Sequence, residues 1–205
     1  ISVIGRGYYG KVLLVRDLIT KELCAVKTIH KSRLTDASKV STIITERDIM
    51  LKANHPFIVR LNFAFQTDTK FYLGMEFAPG GELFRLMTTI DVIPINDARI
   101  YTAELSLALE YLHSIGVVYR DIKPENILLD KEGHLKLTDF GLAKEIVTDT
   151  QTFCGTIDYA SPEMVRHEAY GFAVDWWALG VIVYEMLIGE TPFADENQNE
   201  IYRKI

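Results

Sequence analysis

Cysteine is nearly absent: the 205 residues include only Cys24 and Cys154, far apart and without a second pair. That excludes a disulfide framework and a cysteine-based zinc site, and it favours free thiols in a reducing compartment. The Asn-x-Ser/Thr acceptor triplet is missing too, as expected of an intracellular, cytoplasmic chain. No uninterrupted apolar run is long enough to span a membrane. The longest apolar stretch, FAVDWWALGVIVYEMLIG, is broken by Asp175 and Glu185; it reads as a helix buried in a core, with Gly189 at its end. Positive charge is short as well, with 22 Lys and Arg against 28 Asp and Glu, a net charge of -6. Without a basic stripe to neutralise phosphates, nucleic acid is not the expected partner. No membrane contact is expected either. An acidic surface suits a basic partner or substrate. The chain opens on Ile within a strand-like run, so cut ends are expected, with any targeting signal out of view.

What is present divides in two. The first third is strand-like: KVLLV, ELCAVKTI, IVRLNFAF and FYLGMEF are β-branched or aromatic runs between polar turns. One helix interrupts them, from Ala37 to Ala53, with Val40, Ile43, Ile44, Met50 and Leu51 at helical spacing. Glu46 falls on that stripe, where it either needs a buried partner or reaches water from the stripe's edge. FAPGGEL, with Pro79, Gly80 and Gly81 in a row, is the best hinge candidate. Beyond it a helix is expected over NDARIYTAELSLALEYLHSIG, capped by Asn96 or Asp97 and ended by Gly116. ILLD and LKLTD read as strands joined by the turn KEGH, and 144–160 reads as an aperiodic loop. The expected architecture is α+β and bilobal: a small antiparallel sheet lobe with one helix over 1–76, a hinge at 77–81, and a larger, mainly helical lobe over 82–205. A nucleotide site is expected in the crevice between them.

IGRGYYGKVLLV places Gly5, Gly7 and Gly10 in one loop. Three such glycines suit either a dinucleotide pyrophosphate or a nucleoside triphosphate. In a dinucleotide-binding fold the third glycine opens a helix, but Gly10 leads into Lys-Val-Leu-Leu-Val, a second strand. The loop therefore reads as a hairpin tip whose backbone N–H groups can lie over phosphates. In CAVK, Lys27 ends an apolar run and is the obvious partner for Glu46. VVYRDIKPENILL packs Arg120, Asp121, Lys123 and Asn126 into one short stretch. Asp121 can accept a hydroxyl proton, Lys123 can stabilise charge on a transferring phosphoryl group, and Asn126 offers an amide oxygen to a metal. LTDFGLA adds Asp139 on a tight turn with Gly141. A carboxylate and an amide oxygen suit Mg²⁺, with phosphate oxygens and waters completing its shell.

In order, GRGYYGKV, AVK, Glu46, YRDIKPEN, DFG, ASPE and DWWALG resemble the eukaryotic protein kinase catalytic domain over nearly the whole chain. YRDIKPEN, TFCGTIDYASPE and DWWALGVIVYEML resemble the AGC group of Ser/Thr kinases in particular. The resemblance implies transfer of the γ-phosphoryl group of Mg-ATP to Ser/Thr hydroxyls of protein substrates. It assigns Ile4, Gly5, Gly7, Gly10, Val12, Ala25, Met75 (the gatekeeper position), Glu76, Ala78, Glu82 and Leu128 to the nucleotide. Lys27, paired with Glu46, goes to the α/β-phosphates. Asp121 becomes the catalytic base with Lys123 beside it, and Asn126 and Asp139 become the Mg²⁺ ligands.

Regulation and substrate choice follow from the same likeness. Thr152 stands at the activation-loop phosphorylation site, its phosphate expected on Arg120 and Lys144 and an upstream activating kinase expected as a partner. Where the group often has a histidine on the first-lobe helix, Thr42 stands. Thr156 matches the Ser/Thr-specific pattern. Glu82, Glu125, Asp158 and Glu185 match acidic positions that read arginines upstream of the target residue, so substrates with basic residues near the target Ser/Thr are expected. Ser161 departs from the usual alanine before Pro162 and Glu163, and the family's last helices are expected to be missing after Ile205. Tyr9 sits where an aromatic is common; Tyr8 is the unusual residue, its ring expected to point outward toward a peptide substrate. The alternative function is a pseudokinase-type nucleotide-binding scaffold; a dinucleotide-dependent oxidoreductase is disfavoured by the strand after Gly10.

Overall fold

The computed structural model describes residues 2–6, 10–34, 36–145 and 155–205. The first part of the chain is a five-stranded antiparallel sheet. Its strands are β1 (Ser2–Arg6), β2 (Gly10–Arg16), β3 (Leu23–His30), β4 (Leu61–Gln66) and β5 (Lys70–Glu76), in the order β1-β2-β3-β5-β4. Register determines which side chains share a face, because directly opposed residues project to the same side. Val12 pairs with Lys27, Lys27 with Leu73, and Ala25 with Met75. These five side chains therefore lie on one face of the sheet.

Helix α1 (Ala37–Lys52) joins β3 to β4. Asp36 caps it by accepting a hydrogen bond from Lys39 N at 3.0 Å. Its buried stripe is Ile43, Glu46, Ile49 and Met50. The stripe expected from sequence is thus rotated: Ile44 and Leu51 are exposed, and the carboxylate of Glu46 faces inward. The reading in which Glu46 reaches water is excluded, for it is 3% exposed.

After β5 the chain passes through 77–80 into a short strand β6 (Gly81–Glu82), then α2 (Leu83–Ile90), α3 (Ile95–Ser114) and β7 (Val117–Val118). β8 (Ile127–Leu129) and β9 (Leu135–Leu137) join β6 in a small sheet of order β6-β8-β9. β10 (Lys144–Glu145) pairs with β7, and α4 (Pro162–Val165), α5 (Ala173–Ile188) and α6 (Gln198–Lys204) follow. Three expectations need correction. The residue capping α3 is Pro94, with no side-chain cap, and Asn96 and Asp97 lie inside the helix; Pro94 needs no N–H there and presets the entry backbone. The stretch 144–160 is not wholly irregular, since β10 and a 3₁₀ turn at Ile157–Tyr159 lie within it; elements this short leave no periodicity to read. Strand β4 begins only at Leu61, after the buried Ile58 and Val59.

Leu105, Ala108, Leu109 and Leu112 of α3 meet Ala178, Leu179, Ile182 and Met186 of α5 in one buried cluster, which continues to Ile49, Met50, Leu73 and Met75. Each of the Leu, Ile and Met side chains, fully buried, contributes about 1.5–3 kcal/mol relative to exposure. Sheet and helices therefore share a core. α5 ends as its sequence suggests, with Gly189 in a left-handed cap whose N–H donates to Glu185 O at 2.8 Å. Among the described residues no helix is long and apolar enough to cross a membrane.

Candidate active site

β1 and β2 form the hairpin expected from the glycine loop, with Gly5 opposite Val12. Gly7, Tyr8 and Tyr9 lie outside the described residues. Gly10 has a packing reason that sequence reasoning missed. A Cβ there would come within 1.6 Å of the Thr28 carbonyl oxygen, so only glycine lets β2 begin this close to β3. Val12 and Ala25 are half-buried on the face that carries Lys27, and Ile4, at the bulge of β1, is exposed. Met75 is buried at the end of β5, next to Glu76. Ala78 is also buried. Leu128 is half-buried on β8, between Glu82 of β6 and Lys136 of β9.

Lys27 extends from the sheet to two carboxylates. Its Nζ lies 2.7 Å from Glu46 Oε1 on α1 and 3.0 Å from Asp139 Oδ1 beyond β9. Burial opposes the Lys27 charge, but Glu46 and Asp139 outweigh it and hold the ammonium above its ordinary range. Burial raises Glu46, with Lys27 pulling it back. Burial also pushes Asp139 up, but Lys27 and the Gly141 N–H bring it below the usual carboxylate value. The three therefore form a charged bridge joining sheet, α1 and the segment after β9.

The loop after β7 carries the next set. Arg120 and Asp139, neither of them glycine, both adopt left-handed backbone, with φ of 70° and 58°, and such strain persists only where neighbours impose it. Asp175 imposes it at Arg120. Buried in the first turn of α5, it accepts from Tyr119 N at 2.9 Å and Arg120 N at 2.8 Å, and contacts His113 Nε2 at 2.8 Å. From the sequence Asp175 is an interruption of an apolar run and the first residue of DWWALG, with no role assigned to it. That interruption was the signal, since a carboxylate in an apolar helix needs partners. Tyr119, fully buried, donates its hydroxyl to Thr138 O and meets Phe140 edge-on at 5.3 Å.

Asp121 sits beyond this anchor. Its Oδ2 accepts from Asn126 Nδ2 at 2.7 Å and pairs with Lys123 Nζ at 3.1 Å. Its Oδ1 is buried without a hydrogen-bond partner among the described residues. Burial raises the carboxyl, while Lys123 and Asn126 pull it back. Asn126 Nδ2 also donates to Asp121 O at 2.9 Å, so the amide oxygen is turned away from Asp121. Thr138 N donates to Asn126 O at 2.9 Å, tying this loop to the segment that carries Asp139. Lys123 Nζ donates to Thr156 Oγ1 at 3.3 Å.

Two further groups sit around this centre. Glu185 accepts from Tyr159 OH at 2.8 Å; burial raises it, and Glu125 and Asp158 are close enough to raise it further. The structure thus brings together three of the four expected acidic residues. Glu82 is exposed on β6, a strand that lies against the Pro124–Asn126 turn carrying Glu125. Arg120 donates through its guanidinium to Leu142 O at 2.7 Å and Tyr170 OH at 3.4 Å. Lys144 lies on β10, and Thr152 falls outside the described residues.

A family profile described as the protein kinase domain matches residues 1–205. The chain belongs to the protein kinase domain family. It is 49% identical over its whole length to the serine/threonine protein kinase ypkA of Aspergillus fumigatus, covering 33% of that protein. It is 46% identical to ribosomal protein S6 kinase alpha-6 of Danio rerio, again over its whole length and 28% of the relative. To the RAC family serine/threonine-protein kinase homolog of Dictyostelium discoideum it is 45% identical over the whole chain and 47% of the relative. The chain spans between about a quarter and a half of these relatives. Among the described residues no group of three or more His, Cys, Asp and Glu side chains is placed to hold a metal unaided. The donor set fits a hard divalent cation that takes its other ligands from phosphate and water: one half-exposed carboxylate on Asp139 and one amide oxygen on Asn126.

Proposed function

We propose that this chain is the catalytic part of an active Ser/Thr protein kinase. The observation that carries the proposal is the Asp121 carboxylate. One of its oxygens is held by Asn126 and Lys123, while the other is buried with no partner among the described residues. A buried acceptor left open is costly unless a ligand completes it, and a substrate hydroxyl supplies the missing donor. In the proposed reaction that hydroxyl gives its proton to Asp121 Oδ1. Its oxygen forms a bond to the γ-phosphorus of ATP, and the bond from phosphorus to the β–γ bridging oxygen breaks, leaving ADP. Lys27, held by Glu46, pairs the α/β-phosphates, and Lys123 stabilises charge on the transferring group. Asn126 and Asp139 would hold Mg²⁺, which neutralises phosphate charge when bound. Positioning and electrostatic stabilisation account for most of the rate gain.

Ile4, Gly5, Gly7, Gly10, Val12, Ala25, Met75, Glu76, Ala78, Glu82 and Leu128 are assigned to the nucleotide, in a cleft between a sheet lobe over 1–76 and a helical lobe over 82–205, hinged at 77–81. The grouping of Glu125, Asp158 and Glu185 supports a preference for arginine upstream of the target, with Thr156 beside the acceptor. Activation by phosphorylation of Thr152, through Arg120 and Lys144 and by an upstream kinase, belongs to the same proposal. So does cytoplasmic placement, supported by the free, buried thiol of Cys24. The test is transfer of labelled phosphate from Mg-ATP to Ser/Thr peptides with and without upstream Arg, using the full-length, Thr152-phosphorylated protein. Transfer with Arg preference is expected. No transfer to either peptide overturns the enzyme reading; equal transfer overturns the substrate preference alone.

A further inference from the structure

Glu76 is assigned to the nucleotide as the last residue of β5 before the hinge, yet its side chain is engaged elsewhere. Glu76 Oε1 accepts from Arg60 N at 2.9 Å, and Glu76 N donates back to Arg60 O at 3.0 Å. The same carboxylate takes Lys136 Nζ, at 3.1 Å to Oε1 and 3.3 Å to Oε2. Lys136 is on β9, directly opposite Leu128 on β8, which is opposite Glu82 on β6. Opposed residues share a face, so Lys136 and Leu128 project to the same side of the small sheet. The ammonium therefore joins the strand pair that carries Leu128 to the end of β5, where Glu76 leads into Ala78.

The pair is sheltered, with side-chain exposures of 15% for Lys136 and 27% for Glu76. Backbone bonds join β9 to the segment before β4 as well, from Val59 N to Leu137 O and from Leu137 N to Phe57 O, both at 2.9 Å. The backbone bond from Gly80 N to Leu129 O at 2.9 Å fixes the far end of the hinge; the Lys136–Glu76 pair fixes the near end. A hydrogen-bonded ion pair screened from water is stiffer and stronger than an exposed one.

We propose that Lys136 is a positioning residue for nucleotide binding: through Glu76 it sets the spacing between the hinge backbone and Leu128, the two sides between which the adenine would lie. Lys136 itself touches no reacting atom. The proposal rests on the nucleotide reading above and adds a residue to it. It separates affinity from chemistry, because the pair holds the adenine end of the slot and not the Asp121 end.

The experiment is calorimetric titration of ATP into the full-length protein, wild type and variants, with steady-state kinetics alongside. Lys136→Met keeps the length of the side chain and removes the charge. It is expected to weaken ATP binding about five- to tenfold, part of what loss of one charge-assisted hydrogen bond costs, and to raise the KM for ATP similarly with kcat within about twofold. Glu76→Gln is expected to do the same, and the double variant to be no worse than either single one. Lys136→Arg is expected to restore most of the affinity. Unchanged ATP affinity in Lys136→Met overturns the proposal, whether or not the melting temperature falls, and so do single effects that simply add. A wild type that binds ATP without transferring phosphate overturns the kinase reading and leaves the Lys136 result readable. A wild type that binds no ATP overturns both.

Discussion

Ser161 is fully buried, and its hydroxyl has no hydrogen-bond partner among the described residues. It stands where the kinase family usually has alanine, so the sequence marked it as a departure but not as a cost. An unmade buried hydroxyl costs about 1–3 kcal/mol. Ser161→Ala is therefore expected to stabilise the fold by about 1 kcal/mol, read as a rise in the urea midpoint at constant m-value. Asp175 is the opposite case. Three donors converge on one buried carboxylate, and truncation leaves two backbone N–H groups unmatched. Asp175→Ala is expected to cost about 3 kcal/mol or more in unfolding free energy. Because those N–H groups hold Arg120 in its left-handed conformation, kcat should also fall. A variant with full stability and full kcat would contradict that account of the loop.

At the scale of elements, the small sheet and α3 are joined by a titratable contact. Glu104 of α3 is buried, accepting from Leu135 N at 2.8 Å and contacting His134 Nδ1 at 2.5 Å. The hydrogen bond and charge of Glu104 raise the His134 pKa above its ordinary value. In the unfolded chain that value is about 6.5. A raised folded pKa means the stabilisation is fully present below about 6.5 and is lost as pH rises through the higher folded value. The stability difference between wild type and His134→Ala should accordingly shrink with rising pH across the neutral range. A difference that stayed constant or grew would refute the pairing as charged. Gly80 makes a second test at this scale. A Cβ there would approach Leu129 Cβ to 2.6 Å and Leu129 O to 2.8 Å. Gly80→Ala is expected to loosen the β6–β8 pairing and lower the melting temperature by several degrees, as a loss of about 1 kcal/mol would.

The elements themselves were largely legible in the sequence, because long strands and helices carry period-2 and period-3.6 patterns. β2, β3, β5, α1 and α5 fall where the alternation and the apolar stripes put them. The orientation of α1 was not legible. Ile44 and Leu51 are as apolar as Ile43 and Met50, and only the Lys27 partner shows why Glu46 displaces them from the inner face. The candidate site was readable where residue type and order carry chemistry, as with Asp121, Asn126 and Asp139. Contacts made by register and long reach were not readable. Lys136 looks like any solvated strand lysine until β8 and β9 are paired and Glu76 is found above it. Asp175 and Gly10 likewise acquire reasons only from distant backbone, at Tyr119 and Arg120 in one case and Thr28 in the other.

For the whole molecule, the account makes one chain of dependence. The core shared by sheet and helices holds β5, α1 and the loop after β7 together, and β3 is paired to β5. The Lys27–Glu46–Asp139 bridge and the Asp175 anchor then fix the groups around Asp121. Asp121 is the point on which the functional proposal stands, and Asp121→Asn tests it with almost no change of shape. The decisive measurement is the rate of phosphate transfer from Mg-ATP to an Arg-containing Ser peptide by the full-length, Thr152-phosphorylated protein and its Asp121→Asn variant, with melting temperatures and ATP affinities taken in parallel. The account predicts that kcat falls at least about a hundredfold, as loss of a positioned base and its charge should cause, while ATP affinity and melting temperature change little. A variant that transfers phosphate at the wild-type rate would contradict it.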